Sequence, residues 1–385
     1  MSDGKDIKLS FDDLELSDNV LRGVYSYGFE NPSKIQYESI PIIKKGKDVI
    51  AQAQSGTGKT GAFVIGCLEK LIPENKESQI IIISPTRELA LQTMNVISEI
   101  GKYVEKLTVL DVIGGTNVSA CRSALDKLPQ IIVGTPGRIL DMINRKNLFT
   151  DKIHTIIFDE ADEILSQGFK ETIHDIISFL PTEAQICLFS ATIPQEVLDL
   201  TKCFMRDPES ILVKKEALTL EGITQFYINI KFNDWKLDVL KDLYETINIA
   251  QCIIYINSKN KLIEVHETLL SQNFPVSCIH GEMNSETRKH VMEEFKSGQS
   301  RILLSTDLLS RGIDIQQLSL VINFDLPRAR ETYIHRIGRS GRYGRKGVAI
   351  NLVTDRDMDY LDDIKKYYDT KVEEMPQNIG DYLSV

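Results

Sequence analysis

The stretch AQAQSGTGKT, residues 51–60, follows the short apolar run DVI and leads into the helix-like GAFVIGCLEKL. Gly56 and Gly58 can take positive φ without a Cβ clash, so consecutive N–H groups can turn inward as an anion nest, with Ser55 and Thr57 completing the loop. Lys59 adds a cation for β- and γ-phosphates. Thr60 can place its hydroxyl on a magnesium ion while opening a helix whose N-terminus favours negative charge. Ala53 stands where the first glycine of G-x-x-x-x-G-K-[ST] is expected, so a plain strand-to-helix turn stays open on this stretch alone. About a hundred residues further on, HTIIFDEAD at 154–162 ends an apolar run in Asp159 and Glu160. At the carboxyl edge of a parallel sheet, Asp159 is suited to hold magnesium through water, and Glu160 to orient and deprotonate an attacking water. Its bland alternative is an acidic turn capping the next helix.

These residues need a scaffold, and the chain is long enough to supply it twice. Its 385 residues exceed one ordinary core and suggest two domains. Apolar runs alternate with helical periodicity throughout, which predicts an α/β fold whose mostly parallel sheets are flanked by helices. Strands are expected at DVIAQA, QIIIIS, LTVLDVI, QIIVG, HTIIFD, ICLFS and SILVK in the first half. In the second they are expected at TQFYINI, CIIYIN, VSCIH, RILLST, LVINFD and GVAINLV. KKEALTLEG, residues 214–222, is charged and patternless, and is the expected linker between domains 1–213 and 223–385.

With 45 Lys and Arg against 55 Asp and Glu the formal charge is −10, so nucleic-acid binding must come from locally placed Arg and Lys and should show a shallow salt slope. The six cysteines form no C-x-x-C pair, which argues against zinc and a disulfide framework and for reduced, mostly buried thiols. His154, His174, His266, His280 and His290 show no ligand spacing and read as structural. The charged start MSDGKDIKLS has no apolar core of a leader, and no run reaches the ~18 apolar residues of a membrane span.

AQSGTGKT and DEAD together resemble the DEAD-box RNA-dependent ATPases, and the family's other motifs follow in order over nearly the whole chain. GFENPSKIQ at 28–36 is similar to the adenine-reading Q motif, with Phe11 as the isolated upstream aromatic. The amide of Gln36 offers a donor and an acceptor to adenine, and Phe29 can stack on the base. A plain helix start remains the alternative there. PTRELA (Thr86, Arg87), the pair Gly114 and Gly115, and TPGR (Thr135, Gly137, Arg138) resemble RNA-facing motifs, in which strand-to-helix junctions and guanidinium groups meet phosphate oxygens. Capped helices with exposed arginines are the alternative.

The resemblance implies two RecA-like domains joined by a short linker, ATP and Mg2+ as cofactors, and RNA bound through its backbone without sequence preference. It implies that SAT (Ser190, Thr192), with Asp162 and His335, couples hydrolysis to domain arrangement. STDLLSRGID supplies Thr306, Gly312 and Asp314, and HRIGRSGR supplies Arg339 and Arg342 as arginine fingers for the γ-phosphate. Asn257 and Arg288 are implied RNA contacts. The chain departs from the family pattern at Ser258, Asn260, Ser285 and Ser310, which places second-domain RNA affinity in doubt more than catalysis.

No basic extension, RGG tract or zinc module is seen beside the core. VEEMPQNIGDYLSV and LVKKEALTLEGITQFYINI resemble the initiation factor 4A subfamily. That implies a cytoplasmic, monomeric core unwinding RNA in cap-dependent translation, held by a scaffold such as an initiation factor 4G-like HEAT-repeat protein. GGTNV and RSGRYGRKG with Trp235 lean instead toward the nuclear RNA clamp of that subfamily. A phosphate-loop ATPase or GTPase without RNA is the reading from outside the family.

Overall fold

The computed structural model describes residues 9–54, 56–166, 168–212, 223–246, 251–307, 318–338, 340, 347–376 and 379. The chain divides into two compact units, Met1–Val213 and Lys214–Val385. The expected linker, 214–222, lies outside the described residues.

The first unit is built on strands β1 (Val49–Gln52), β2 (Ile80–Ile83), β3 (Val109–Val112), β4 (Ile131–Gly134), β5 (Thr155–Asp159), β6 (Gln185–Ser190) and β7 (Glu209–Ile211). They pair in parallel in the order β3-β4-β2-β5-β6-β1-β7. A parallel sheet covered on both faces needs apolar side chains on both, and β2 and β4 are buried along their whole length. Successive residues serve opposite faces: Ile80 and Ile82 join one core, Ile81 and Ile83 the other.

Register decides which loops meet. Gln52 pairs with Ser190, Asp159 with Phe189, Ile83 with both Phe158 and Gly134, and Val112 with Gly134. The carboxyl ends of six strands are therefore level, and every motif of the first unit except the Q motif, which precedes β1, starts within a few residues of them. Loops after β1, β5 and β6 share one stretch of that edge, and loops after β2, β3 and β4 share the other.

The second unit uses β8 (Ile223–Asn229), β9 (Cys252–Tyr255), β10 (Val276–Ile279), β11 (Ile302–Ser305), β12 (Leu320–Asn323), β13 (Gly347–Val353) and β14 (Glu373–Glu374) in the order β10-β11-β9-β12-β13-β8-β14. Counted from its own first strand, this is the same order as in the first unit, although no sequence repeat announces it. All thirteen expected strands are present. SILVK is shorter than expected and starts earlier, at Glu209–Ile211, and the two-residue β14 carries no apolar pattern by which to see it.

Five of the six cysteines are buried and Cys203 is exposed. Burial, followed by the charge of Lys70, pushes the pKa of His154 down to about 4, so that ring is neutral and structural. Among the described residues no helix is long and apolar enough to cross a membrane.

Candidate active site

The loop after β1 turns through Gly56 (φ 83) and Gly58 (φ 92), both in the left-handed region that a side chain would strain. Gly58 is the N-cap of helix Lys59–Lys70. Lys59 Nζ donates to the carbonyls of Ala53 at 2.8 Å and Gln54 at 3.3 Å, which holds the ammonium over the loop. Thr57 closes the turn through Oγ1 on the Gln54 carbonyl at 2.7 Å, Thr60 is half-buried in the first helical turn, and Ser55 lies outside the described residues.

Gln36 approaches this loop from helix Lys34–Lys44. Its Oε1 accepts from Ser33 N–H at 2.9 Å while Ser33 Oγ accepts from Gln36 N–H at 3.4 Å, a reciprocal capping box. The helix-start reading of PSKIQ is thus realised, yet Nε2 also donates to the Gly58 carbonyl at 3.3 Å. Among the described residues, one amide N–H and one lone pair are left over. Close approach here depends on two glycines: a Cβ on Gly58 would lie 2.6 Å from Gln36 Nε2, and one on Gly61 2.7 Å from the Phe29 ring. Gly61 belongs to no motif picked out from sequence. Phe29 stacks on the fully buried Phe11, with centroids 6.1 Å apart and planes 20° from parallel.

At the end of β5, Asp159 is buried. Its Oδ1 accepts from Glu160 N–H at 3.0 Å, and Oδ2 has no hydrogen-bond partner among the described residues. Burial first, then the neighbouring charge of Glu160, pushes its pKa up to about 8, with Lys59 pulling the other way. An orphaned carboxylate oxygen that needs positive charge, together with the Thr60 hydroxyl, fits the oxygen donors magnesium prefers. Glu160 has φ 50, a strained backbone for a side-chain-bearing residue and one that marks functional sites. Behind it, Asp162 accepts from Ser190 Oγ at 2.6 Å through Oδ1 and from Thr192 Oγ1 through Oδ2. DEAD and SAT are therefore one hydrogen-bonded body, tied to β1 by Ala53 N–H on the Ser190 carbonyl at 3.0 Å.

The other stretch of the edge assembles a second cluster. Thr86 caps helix Arg87–Ile100 through Oγ1 on Leu89 N–H at 3.3 Å. The Arg87 guanidinium lies on the glycine turn after β3: a Cβ on Gly115 (φ 82) would come 2.3 Å from Nη1, and one on Gly114 3.4 Å from Nη2. Thr135, at the start of helix Pro136–Asn144, uses its hydroxyl to accept from Gly114 N–H at 3.2 Å. Arg138 donates from Nη1 to Thr116 Oγ1 and from Nη2 to the Thr116 carbonyl, each at 3.1 Å. Thr116 thus joins the cluster without having been foreseen. Gly137 is different, because a Cβ there would meet nothing within 4 Å.

In the second unit, Arg339, Arg342, Gly312 and Asp314 lie outside the described residues, as does Ser310. Asn257 follows β9. Its Nδ2 donates to the Leu326 carbonyl at 2.8 Å and its Oδ1 accepts from Arg336 Nη2 at 2.6 Å, so part of its amide is spent internally. Ser258 caps helix Lys259–Ser271 with its hydroxyl, the function a threonine would serve there. Thr306 is half-buried after β11, Arg288 is buried in helix Ser285–Lys296, and His335 is buried in helix Arg330–Ile337.

The residue missed in HRIGRSGR is Arg336. Fully buried, it donates from Nε to Asp307 at 2.6 Å and from Nη1 to Asn323 Oδ1 at 3.2 Å and to the Asp325 carbonyl at 2.7 Å, besides its bond to Asn257. Three arginines look alike in that run, and only the fold shows what Arg336 holds.

Residues 33–200 match the DEAD/DEAH box helicase family and residues 235–344 the helicase conserved C-terminal domain. The chain is 55% identical over 370 residues to the ATP-dependent RNA helicase eIF4A of Candida albicans, covering 96% of this chain and 93% of that protein. It is 52% identical over 374 residues to eukaryotic initiation factor 4A of Drosophila melanogaster, covering 97% and 93%. Among solved structures, S. cerevisiae Dbp5 bound to RNA and ADP BeF3 is similar with a TM-score of 0.90 at 36% identity, covering 97% of each chain. Likeness of this extent, carried from the Q motif through the second unit, makes the chain a member of the DEAD/DEAH box helicase family.

Proposed function

We propose that this chain is an ATP-dependent RNA helicase that opens short RNA structures during translation initiation, in the manner of initiation factor 4A. The observation that carries the reading is the shared carboxyl edge of the first unit. Phosphate loop and DEAD stand on one stretch of it, and the arginine–glycine cluster on the other. Names carried by its relatives support the translation role over a nuclear RNA clamp.

Lys59 and the loop amides hold the phosphates, and Gln36 and Phe29 hold the base. Magnesium, held by Thr60 and Asp159, would neutralise charge on the β- and γ-oxygens. Glu160 orients the attacking water and takes its proton. Asp162, Ser190 and Thr192 form the hydrogen-bonded body that links this chemistry to the rest of the chain, with His335 as its proposed correspondent in the second unit. Arg339 and Arg342, with Gly312 and Asp314, complete the site for the γ-phosphate. Thr86, Arg87, Gly114, Gly115, Thr135, Gly137 and Arg138 grip the RNA backbone, joined by Asn257, Arg288 and Thr306. A cytoplasmic monomer held by a HEAT-repeat scaffold suits this role.

The reading is tested by steady-state hydrolysis of ATP and GTP with and without single-stranded RNA. ATP turnover should rise with RNA and GTP should be a poor substrate. Gln36→Ala should raise the KM for ATP by roughly tenfold, the scale of one or two lost hydrogen bonds, and narrow the preference over GTP. A parent chain that hydrolyses GTP as well as ATP removes Gln36 from base selection, and one indifferent to RNA removes the helicase reading.

Gly137→Ala separates fold from function in the RNA cluster. The new methyl has room, and alanine is favoured in a helix by roughly 0.5–1 kcal/mol. Melting temperature should therefore hold or rise, while RNA affinity falls because the backbone can no longer be approached closely. A lower melting temperature with unchanged RNA affinity would make Gly137 a structural residue.

A further inference from the structure

The identical strand order of the two units makes their loops comparable one by one. β1 and β8 take the sixth place in their sheets, and β5 and β12 the fourth. Lys59 opens helix Lys59–Lys70 seven residues past the end of β1, and Lys236 opens helix Lys236–Thr246 seven residues past the end of β8. Both lysines are buried. Asp159 ends β5, and Asp325 follows β12 by two residues. The loop chemistry differs. Gly56 and Gly58 precede Lys59, whereas KFNDW precedes Lys236 and contains no glycine to form an anion nest. The ammonium of Lys236 instead ion-pairs with Asp325 Oδ1 at 3.3 Å and lies 5.7 Å from the centre of the Phe324 ring.

We propose that Lys236 and Asp325 are the second unit's counterpart of Lys59 and Asp159, closed on each other as an internal ion pair that positions Asn257 and Arg336 instead of binding phosphate. Asp325 is the hinge of this arrangement. Its Oδ1 takes Lys236, its Oδ2 accepts from Asn257 N–H at 3.1 Å, and its carbonyl accepts from Arg336 Nη1 at 2.7 Å. Arg336 reaches on to Asp307 after β11, so one network ties together the loops after β8, β9, β11 and β12 and the helix that leads toward Arg339 and Arg342. The side chain of Lys236 is 4% exposed and that of Asp325 27%, so removing Asp325 strands a buried ammonium, whereas removing Lys236 leaves a partly solvated carboxylate still bonded to Asn257 N–H; removing both avoids the stranded charge. Lys236 touches no reacting group: it is a positioning residue, and its role in turnover rests on the helicase reading above.

The test uses the full chain with Lys236→Met, Asp325→Asn, the double variant and Lys236→Arg, measured by RNA-stimulated ATPase and by thermal melting. Lys236→Met should raise the RNA concentration for half-maximal stimulation and lower kcat, each by roughly tenfold, with KM for ATP within about twofold of the parent. The double variant should be much less impaired than the two singles multiplied, and Lys236→Arg should stay within roughly threefold of the parent. Melting temperatures should show the same non-additivity. Independent effects in the cycle, or lowered melting with unchanged RNA half-saturation and kcat, would overturn the proposal. A parent chain without RNA stimulation would overturn the helicase reading instead, and the melting cycle would then decide by itself whether the pair is coupled.

Discussion

Steady-state ATP turnover should fall by roughly 10²–10⁴-fold in Glu160→Gln, the range general-base catalysis supplies, while ATP and RNA binding stay near those of the parent chain. The amide keeps the shape of the side chain and leaves the strained backbone at φ 50 and the Asp159–Glu160 hydrogen bond in place. What it loses is the capacity to take a proton from water. Binding should not suffer, because the charge of Glu160 is one of the two main influences that oppose ionisation of Asp159, and the amide removes it. Lys59→Ala should behave in the opposite sense. Without the ammonium bonded to the Ala53 and Gln54 carbonyls, the loop loses both a tether and its phosphate charge, so ATP binding fails before chemistry is reached. Titration with a fluorescent ATP analogue beside single-turnover hydrolysis distinguishes the two. Near-normal turnover by Glu160→Gln, or near-normal ATP affinity in Lys59→Ala, would reverse the assignment of roles.

What could be read in the sequence was local. A run such as IIII at 80–83 has one stable use, a strand covered on both faces, and glycines beside Lys59 have a backbone reason that needs no partner. What escaped depends on residues distant in the chain. Lys236 is defined by Asp325, Arg336 by Asn257 and Asp307, and Gly61 by Phe29. Nothing in the periodicity around these residues distinguishes them from a solvated lysine, one arginine of a basic run, or a small residue in a helix. β14 escaped for another reason: two exposed glutamates at a sheet edge have no apolar pattern. The common strand order of the two units was legible only through the resemblance, which implied two RecA-like domains, and not through local pattern, since topology depends on which strands pair and not on what each contains.

We propose that the chain's ATP chemistry and its RNA grip are one coupled device, with the phosphate loop and DEAD in the first unit, the arginine motif in the second and RNA-facing motifs in both. ATP and RNA should then raise each other's affinity by the same factor, and ADP, lacking the γ-phosphate, should not. Because the proposed action pries open a short duplex locally instead of translocating along it, unwinding should fade steeply as a duplex lengthens. The measurement is the affinity of a fluorescent single-stranded RNA for the chain with a non-hydrolysable ATP analogue, with ADP and without nucleotide, in the parent and in Arg342→Ala. Binding should be roughly 5- to 150-fold tighter with the analogue than with ADP, and that difference should be lost in Arg342→Ala. Equal RNA affinity in the two nucleotide states of the parent chain would contradict it.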